Sequence, residues 1–293
     1  VATNASGART FKFGSTRNFV EQLKIILPNG EMFSIKRGKV YANKNHFEFY
    51  INNTLTSFDI PELDYCVSKN AAGYYCKANM DLIDLFIGSE GTLGIIYEIK
   101  FKLLDLPNDF FSTVIFFDVH KQALDFVNTL IKISNKSEYI SPSAIEYFDK
   151  KSLEFLRNEY PQIPTIVDAA LWLEQDTHNN YDDILESYVN LFESNKIDTN
   201  NAWFAENKED RKKFQQFRHA ISSKVSEYIA KHNLTKVGTD LAVPSDFFQE
   251  FYTKSIEMVK KANLNYVAYG HFGNSHLHLN MLPINKLELE KAK

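Results

Sequence analysis

Three histidines and two glycines fall within Gly270 to Asn280, GHFGNSHLHLN, in a chain that has only 8 histidines among 293 residues. Neutral imidazole can ligate a metal, accept a proton or donate a hydrogen bond near neutral pH, so a dense cluster is a candidate for chemistry. The element that would carry it can be read locally. Asn265 to Tyr269 is apolar enough for a strand, GHFGNS supplies turn residues, and HLHLNML alternates polar with apolar, which predicts a β-hairpin. Alternation places His276, His278 and Asn280 on one face, with Leu277, Leu279 and Met281 on the other. His271 ends the first strand, where the turn can fold it back toward His278. The competing reading is a solvated hairpin face. Two histidines also fall one short of the three protein ligands typical of a catalytic zinc.

A second set of residues suits a carboxylate. In KEDRKKFQQFRHAISSKVSEYIAKHN, Phe214, Phe217, Ile221, Val225 and Tyr228 form a helical apolar seam. Arg218 and Ser222 stand one turn apart at its border, where a guanidinium can grip a carboxylate bidentately and a hydroxyl can assist. Arg211, Lys212 and Lys213 read as a solvated charge run, and His219 points to the polar side. Lys236 precedes a strand leading to Val243 and Pro244, a position where lysine is more often exposed than functional.

Two stretches are rich in glycine and small residues. VATNASGARTFKFGST crowds small side chains between Ala2 and Ala8 and places Gly14 before Ser15, while IGSEGTLGI spaces Gly88, Gly91 and Gly94 three apart. Small side chains let backbone N–H groups approach an anion or a flat ring; turns and bulges are the plainer use of such glycines. Neither stretch matches GxGxxG leading into a helix, which disfavours a dinucleotide fingerprint.

The elements that must position these residues fall into two groups. Residues 1 to about 105 are rich in loops and strands, including two strands joined at Pro28-Asn29-Gly30 and a strand that starts at Leu93. Beyond Pro107, strands at Thr113 to Phe117, Thr165 to Leu173 and Asn201 to Phe204 alternate with helices. Those helices are predicted at Lys121 to Ile133, Asp182 to Phe192, Lys208 to Lys231 and Ser245 to Lys261. The pattern suggests an α+β or α/β layer with helices over one face of a sheet and a boundary that gives domains 1–107 and 108–293. Both ends read as cut.

Composition is that of an ordinary globular chain, 44% hydrophobic and 24% charged. A net charge of −4 argues against nucleic acid as the main partner. No apolar run approaches the ~20 residues of a membrane span, no signal peptide opens the chain, and the cytoplasm is the expected compartment. Cys66 and Cys76, without a CxxC pair, read as reduced structural thiols.

Taken in order, VATNASGARTFKFGSTRN, KNAAGYY, DLFIGSEGTLGII, FRHAI, GTDLAVP and GHFGNSHLHLN resemble the FAD-dependent 2-hydroxy acid dehydrogenases of the vanillyl-alcohol oxidase fold. The branch they look most like contains the D-lactate, glycolate and D-2-hydroxyglutarate dehydrogenases. The resemblance implies an α+β fold, with the second part of a PCMH-type FAD-binding domain followed by an FAD-linked oxidase C-terminal cap whose antiparallel sheet is covered by helices. It implies FAD bound by Asn4, Ala5, Ser6, Gly7, Gly14, Gly88, Glu90, Gly91, Gly94 and Ile96. It implies a divalent metal such as zinc on His271 and His278, with Asn280 beside the substrate. Arg218, with Ser222 and Lys236, would hold the substrate carboxylate, and His276, standing where the family's familiar GNLHLN has Asn, would be the fallback base.

The implied reaction is oxidation of a D-2-hydroxy acid to the 2-oxo acid by hydride transfer to flavin. The implied electron acceptor is a quinone, a cytochrome or an electron-transfer flavoprotein, with peripheral membrane association and a homodimer as further expectations. A leading FAD subdomain would precede Val1, and a later Glu-His-Gly motif would follow Lys293. The rival classes are a flavin-free binding or assembly module of the same family and a metal-dependent hydrolase.

Overall fold

A computed structural model describes residues 1–63, 69–178 and 180–293; Cys66 lies outside the described residues. The chain divides into two compact units, Val1–Leu106 and Pro107–Lys293.

The first unit begins with a short helix, α1 (Thr10–Phe13), and contains strands β1 (Val20–Ile26), β2 (Met32–Lys36), β3 (His46–Ile51) and β4 (Thr54–Asp59), helix α2 (Ile83–Phe86) and strand β5 (Ile95–Phe101). β2, β1 and β5 form an antiparallel sheet, and β3 and β4 form a separate hairpin. That hairpin, unread in the sequence, turns on Asn52 and Asn53, both at positive φ, the backbone that a two-residue hairpin turn requires. Leu23, Ile25, Phe47, Leu82 and Ile83 are fully buried at the centre of this unit. Asp84 clasps Arg17 and Arg37 through paired hydrogen bonds of 2.9–3.1 Å, which ties the loop before β1 to the end of β2.

The second unit runs β6 (Phe110–Phe117), α3 (His120–Ser134), β7 (Ala144–Asp149), α4 (Lys150–Leu156), β8 (Ala169–Asp176), α5 (Tyr181–Ser194), β9 (Trp203–Phe204), α6 (Lys208–Lys231), β10 (Val237–Ala242), α7 (Phe248–Lys261), β11 (Tyr266–His271), β12 (His276–Met281) and α8 (Lys286–Ala292). Its seven strands form one antiparallel sheet in the order β10-β12-β11-β7-β8-β6-β9. The central strands β7 and β8 are buried at every position, as strands covered on both faces must be.

Which helix covers which face follows from the two-residue period of the strands. On β7, Tyr147 meets Tyr252 of α7 at 5.7 Å between ring centroids, while its neighbour Phe148 meets Phe217 of α6 at 4.9 Å. Phe111 and Phe117 of β6, on the Tyr147 side, meet Tyr188 of α5 and Phe126 of α3. Thus α3, α5 and α7 cover one face and α6 the other. The expectation of helices over a single face is corrected, because β7 and β8 are apolar on both sides and each side needs a cover.

α6 is a 24-residue helix started by Asn207, whose side chain accepts from the N–H groups of Glu209 and Asp210. Its buried stripe is Phe214, Phe217, Ile221, Val225 and Ile229, with Tyr228 half-buried and packed against Phe155 of α4. On β12, Leu277 and Leu279 point away from α6 into the core, and each such side chain contributes about 1.5–3 kcal/mol by burial. Among the described residues, no helix is long and apolar enough to cross a membrane.

Candidate active site

Strand register assembles a polar cluster on the α6 face. Asp240 of β10 lies directly across from His278 of β12, which lies across from Tyr269 of β11, which in turn lies across from Phe148. One row away, Ala242 faces His276, and His271 faces Glu146 of β7. Directly paired residues share a face, so three histidines, two carboxylates and a phenol converge although they come from four strands. Gly270 permits the close approach of β11 to β12. It has φ of +154°, and a Cβ there would stand 2.5 Å from the backbone oxygen of His276.

The imidazoles of His271, His276 and His278 each offer a nitrogen within 4.8 Å of the other two. The resemblance implied metal ligation by His271 and His278; the structure brings His276 into the same set, because it shares one face of β12 with His278. Glu146 holds the first ring and Asp240 holds the other two. Glu146 Oε1 lies 2.6 Å from His271 Nδ1, and Asp240 Oδ1 lies 2.6 Å from His276 Nε2 and 2.9 Å from His278 Nδ1. A carboxylate accepts from a protonated ring nitrogen, so these pairings set the tautomers: the lone pair falls on Nε2 in His271 and His278, and on Nδ1 in His276.

Glu146 is completely buried. Burial alone would raise its pKa, but the charge of Arg218 and the hydrogen bonds from Arg218 and His271 outweigh it and hold the carboxyl below the usual carboxylate range. Its second oxygen, Oε2, accepts from Nε of Arg218. Arg218, expected at the substrate carboxylate, is engaged here through its Nε. The side chain is buried, paired to Glu146 and placed over the Tyr269 ring at 5.5 Å from its centroid, and it is not among the residues that line the adjoining cavity.

That cavity, about 340 Å³, is lined by Ser222, Lys236, Gly238, Thr239, Asp240, Tyr269, His278 and Asn280. Ser222, Lys236, His278 and Asn280 had been singled out in the sequence, and the structure gathers all four. Ser222 Oγ and Tyr269 OH are 3.2 Å apart, which fastens α6 to β11 at the rim. Lys236 is the cation on this wall. Asp240, Tyr269 and Glu146 escaped the sequence reading. The one signal for Glu146 was a carboxylate inside the run AIEYF, otherwise apolar up to Asp149, because a buried charge requires a partner.

In the first unit, the two glycine-rich stretches are bound to each other. Gly88 N–H donates to Val1 O, Glu90 N–H to Ala2 O, and Arg17 N–H to the side-chain oxygen of the buried Asn4. Ala5, Gly7, Glu90 and Gly91 form an exposed ledge, with Ser6 and Gly88 half-buried behind it. Nothing lies within 4 Å of where a Cβ would stand on Gly7 or Gly91. The backbone at Gly7 and Gly91 is therefore open to the close approach of a flat group. Three further residues are in packing contacts. A Cβ on Gly94 would meet Ile25 at 2.6 Å, Gly14 abuts the Asn18 side chain, and Ile96 packs against the core. Their positions are accounted for by packing.

Comparison with known proteins agrees with this architecture. Residues 106–293 match the family of FAD linked oxidases, C-terminal domain. Among curated proteins, the chain is 26% identical over 291 residues to a D-lactate dehydrogenase of Anaerostipes hadrus, covering 95% of this chain and 51% of the relative. It is 25% identical to glycolate oxidase subunit GlcD of Bacillus subtilis, covering 94% and 49% of the two chains. It is 24% identical to a D-2-hydroxyglutarate dehydrogenase of Stutzerimonas stutzeri, covering 99% and 54%. The chain spans about half the length of the curated relatives it matches. Among solved structures, an alkyldihydroxyacetonephosphate synthase superposes with a TM-score of 0.61 at 15% identity, over 99% of this chain and 52% of that one. A p-cresol methylhydroxylase with substrate bound gives 0.60 at 12%, over 97% and 56%. The antiparallel sheet with helices on both faces is therefore a shared fold, and the chain belongs to the FAD-linked oxidase family, with residues 106–293 forming its C-terminal domain.

Proposed function

We propose that the complete protein carrying this chain oxidises a D-2-hydroxy acid to the corresponding 2-oxo acid. The observation that carries this reading is the convergence of Ser222, Lys236, Tyr269, His278 and Asn280 on one cavity of an FAD-linked oxidase C-terminal domain. The relatives' names support the substrate class.

Lys236 pairs with the substrate carboxylate, and Ser222 adds a hydroxyl donor. Arg218 spends its charge on Glu146 and acts from behind Tyr269. The Asn280 amide fixes the 2-hydroxyl. In the ion-free site His278, whose Nδ1–H donates to Asp240, presents an Nε2 lone pair that can take the hydroxyl proton, with Asp240 steadying the imidazolium; a bound ion would occupy that lone pair, and the proton of the acidified hydroxyl would then pass to solvent. FAD would be held by residues Asn4 to Gly7 and Gly88 to Gly91 and would supply the two-electron acceptor. A divalent ion of the zinc class would be held by His271, His276 and His278 and would acidify the hydroxyl. Electrons then pass to a quinone, a cytochrome or an electron-transfer flavoprotein.

Replacing Lys236 by Met in the FAD-loaded protein tests the carboxylate site. Loss of one charged hydrogen bond should raise KM for the hydroxy acid by about tenfold to a hundredfold. An unchanged KM would remove Lys236 from the site.

A further inference from the structure

We infer that Glu146 is a positioning residue that joins the histidine trio to the substrate cavity, a role that rests on the function proposed above. The contacts run without a break. His271 Nδ1 meets Glu146 Oε1 at 2.6 Å, Glu146 Oε2 accepts from Arg218 Nε, the Arg218 guanidinium carbon lies over the Tyr269 ring at 5.5 Å from its centroid, and Tyr269 OH meets Ser222 Oγ at 3.2 Å. The chain links β11 to β7, to α6 and back to β11, so one carboxylate sets the rotation of His271 and the seat of Arg218 together. Glu146 is fully enclosed, so water cannot replace it in either role. Its bond to Nδ1 keeps the lone pair of His271 on Nε2, the atom through which that ring would serve a cation. A carboxylate that only balanced Arg218 would need no such bond to His271.

Two measurements on the 293-residue chain test this. First, Co²⁺ alone is titrated into the wild type and Glu146→Gln and followed by its visible absorption. The variant should bind about 10- to 100-fold more weakly, the usual effect of removing a carboxylate behind a ligating histidine. Equal affinity would overturn the inference. Second, ¹⁵N NMR of histidine-labelled wild type at pH 8, with His271→Gln to identify the signal, should show the proton of His271 on Nδ1. A proton on Nε2 would overturn the inference even if Glu146→Gln does not fold. Wild type that binds no Co²⁺ while His271 keeps its Nδ1 proton would count against the metal and leave the positioning role supported.

Discussion

A Cβ on Gly238 would lie 2.6 Å from Oδ1 of Asn280 and 3.4 Å from the backbone oxygen of Leu279, so only a glycine leaves this amide where it stands. Gly238→Ala keeps ordinary backbone dihedrals but pushes the Asn280 side chain aside. The expected result is a fall of at least about tenfold in kcat/KM, with a stability loss limited to about 1–2 kcal/mol. Paired kinetics and thermal melts check it. Unaltered kinetics would separate Asn280 from the reaction.

Asp240 holds both His276 and His278 through one oxygen while its side chain is largely open to solvent. Asp240→Asn should therefore leave folding stability nearly unchanged, within about 1 kcal/mol. Zinc affinity should still drop by about tenfold or more as the two rings lose their tautomeric control. Competition against a chromophoric chelator reads the affinity directly, and a variant that retains zinc as tightly as the parent would show that Asp240 does not orient the trio.

Burial pushes the Asp149 carboxyl up to about 6, against hydrogen bonds from Ser152 and from the backbone N–H groups of Ser152 and Ala268 that pull it down. The native pKa lies above the unfolded value of about 3.9. The corresponding stability is therefore fully present below about pH 4 and is lost as pH rises through about 6, a change of about 3 kcal/mol. Both backbone donors reach Oδ1, which an asparagine retains. Asp149→Asn should remove this component of the pH dependence of urea unfolding, and a variant with the parent's slope between pH 4 and 7 would contradict the assignment.

Asn207 accepts two of the unpaired N–H groups at the start of α6, the helix that carries Arg218 and Ser222. Asn207→Ala should cost about 1 kcal/mol of stability, measured by denaturant unfolding. It should leave KM within about twofold, because the buried stripe from Phe214 to Ile229 fixes the helix against the sheet.

The features legible in the sequence were those with local signatures. The β11–β12 hairpin showed as alternation, α6 as a periodic seam, and the ledge as a run of small residues. The rest depends on pairings that no local pattern displays. Glu146 meets His271 across 125 residues, and Asp240 reaches the histidines only because β10 pairs with β12. β7 passed unnoticed because a strand buried on both faces does not alternate. The predicted strand at Thr165 to Leu173 begins four residues late, at Ala169, and runs on to Asp176. Arg218 was recognised as a site residue by type, whereas its role depends on a partner, Glu146, that the sequence could not supply.

The central claim is that flavin in the complete protein is reduced by a D-2-hydroxy acid held in the Lys236–Asn280 cavity. The most direct test is anaerobic mixing of the FAD-loaded protein with D-lactate, glycolate and D-2-hydroxyglutarate, each chiral acid against its L enantiomer, while the visible flavin band is followed. The account predicts rapid bleaching by at least one of these acids, with no bleaching by the L form where the acid is chiral. A flavin that stays oxidised with every one of them would contradict it.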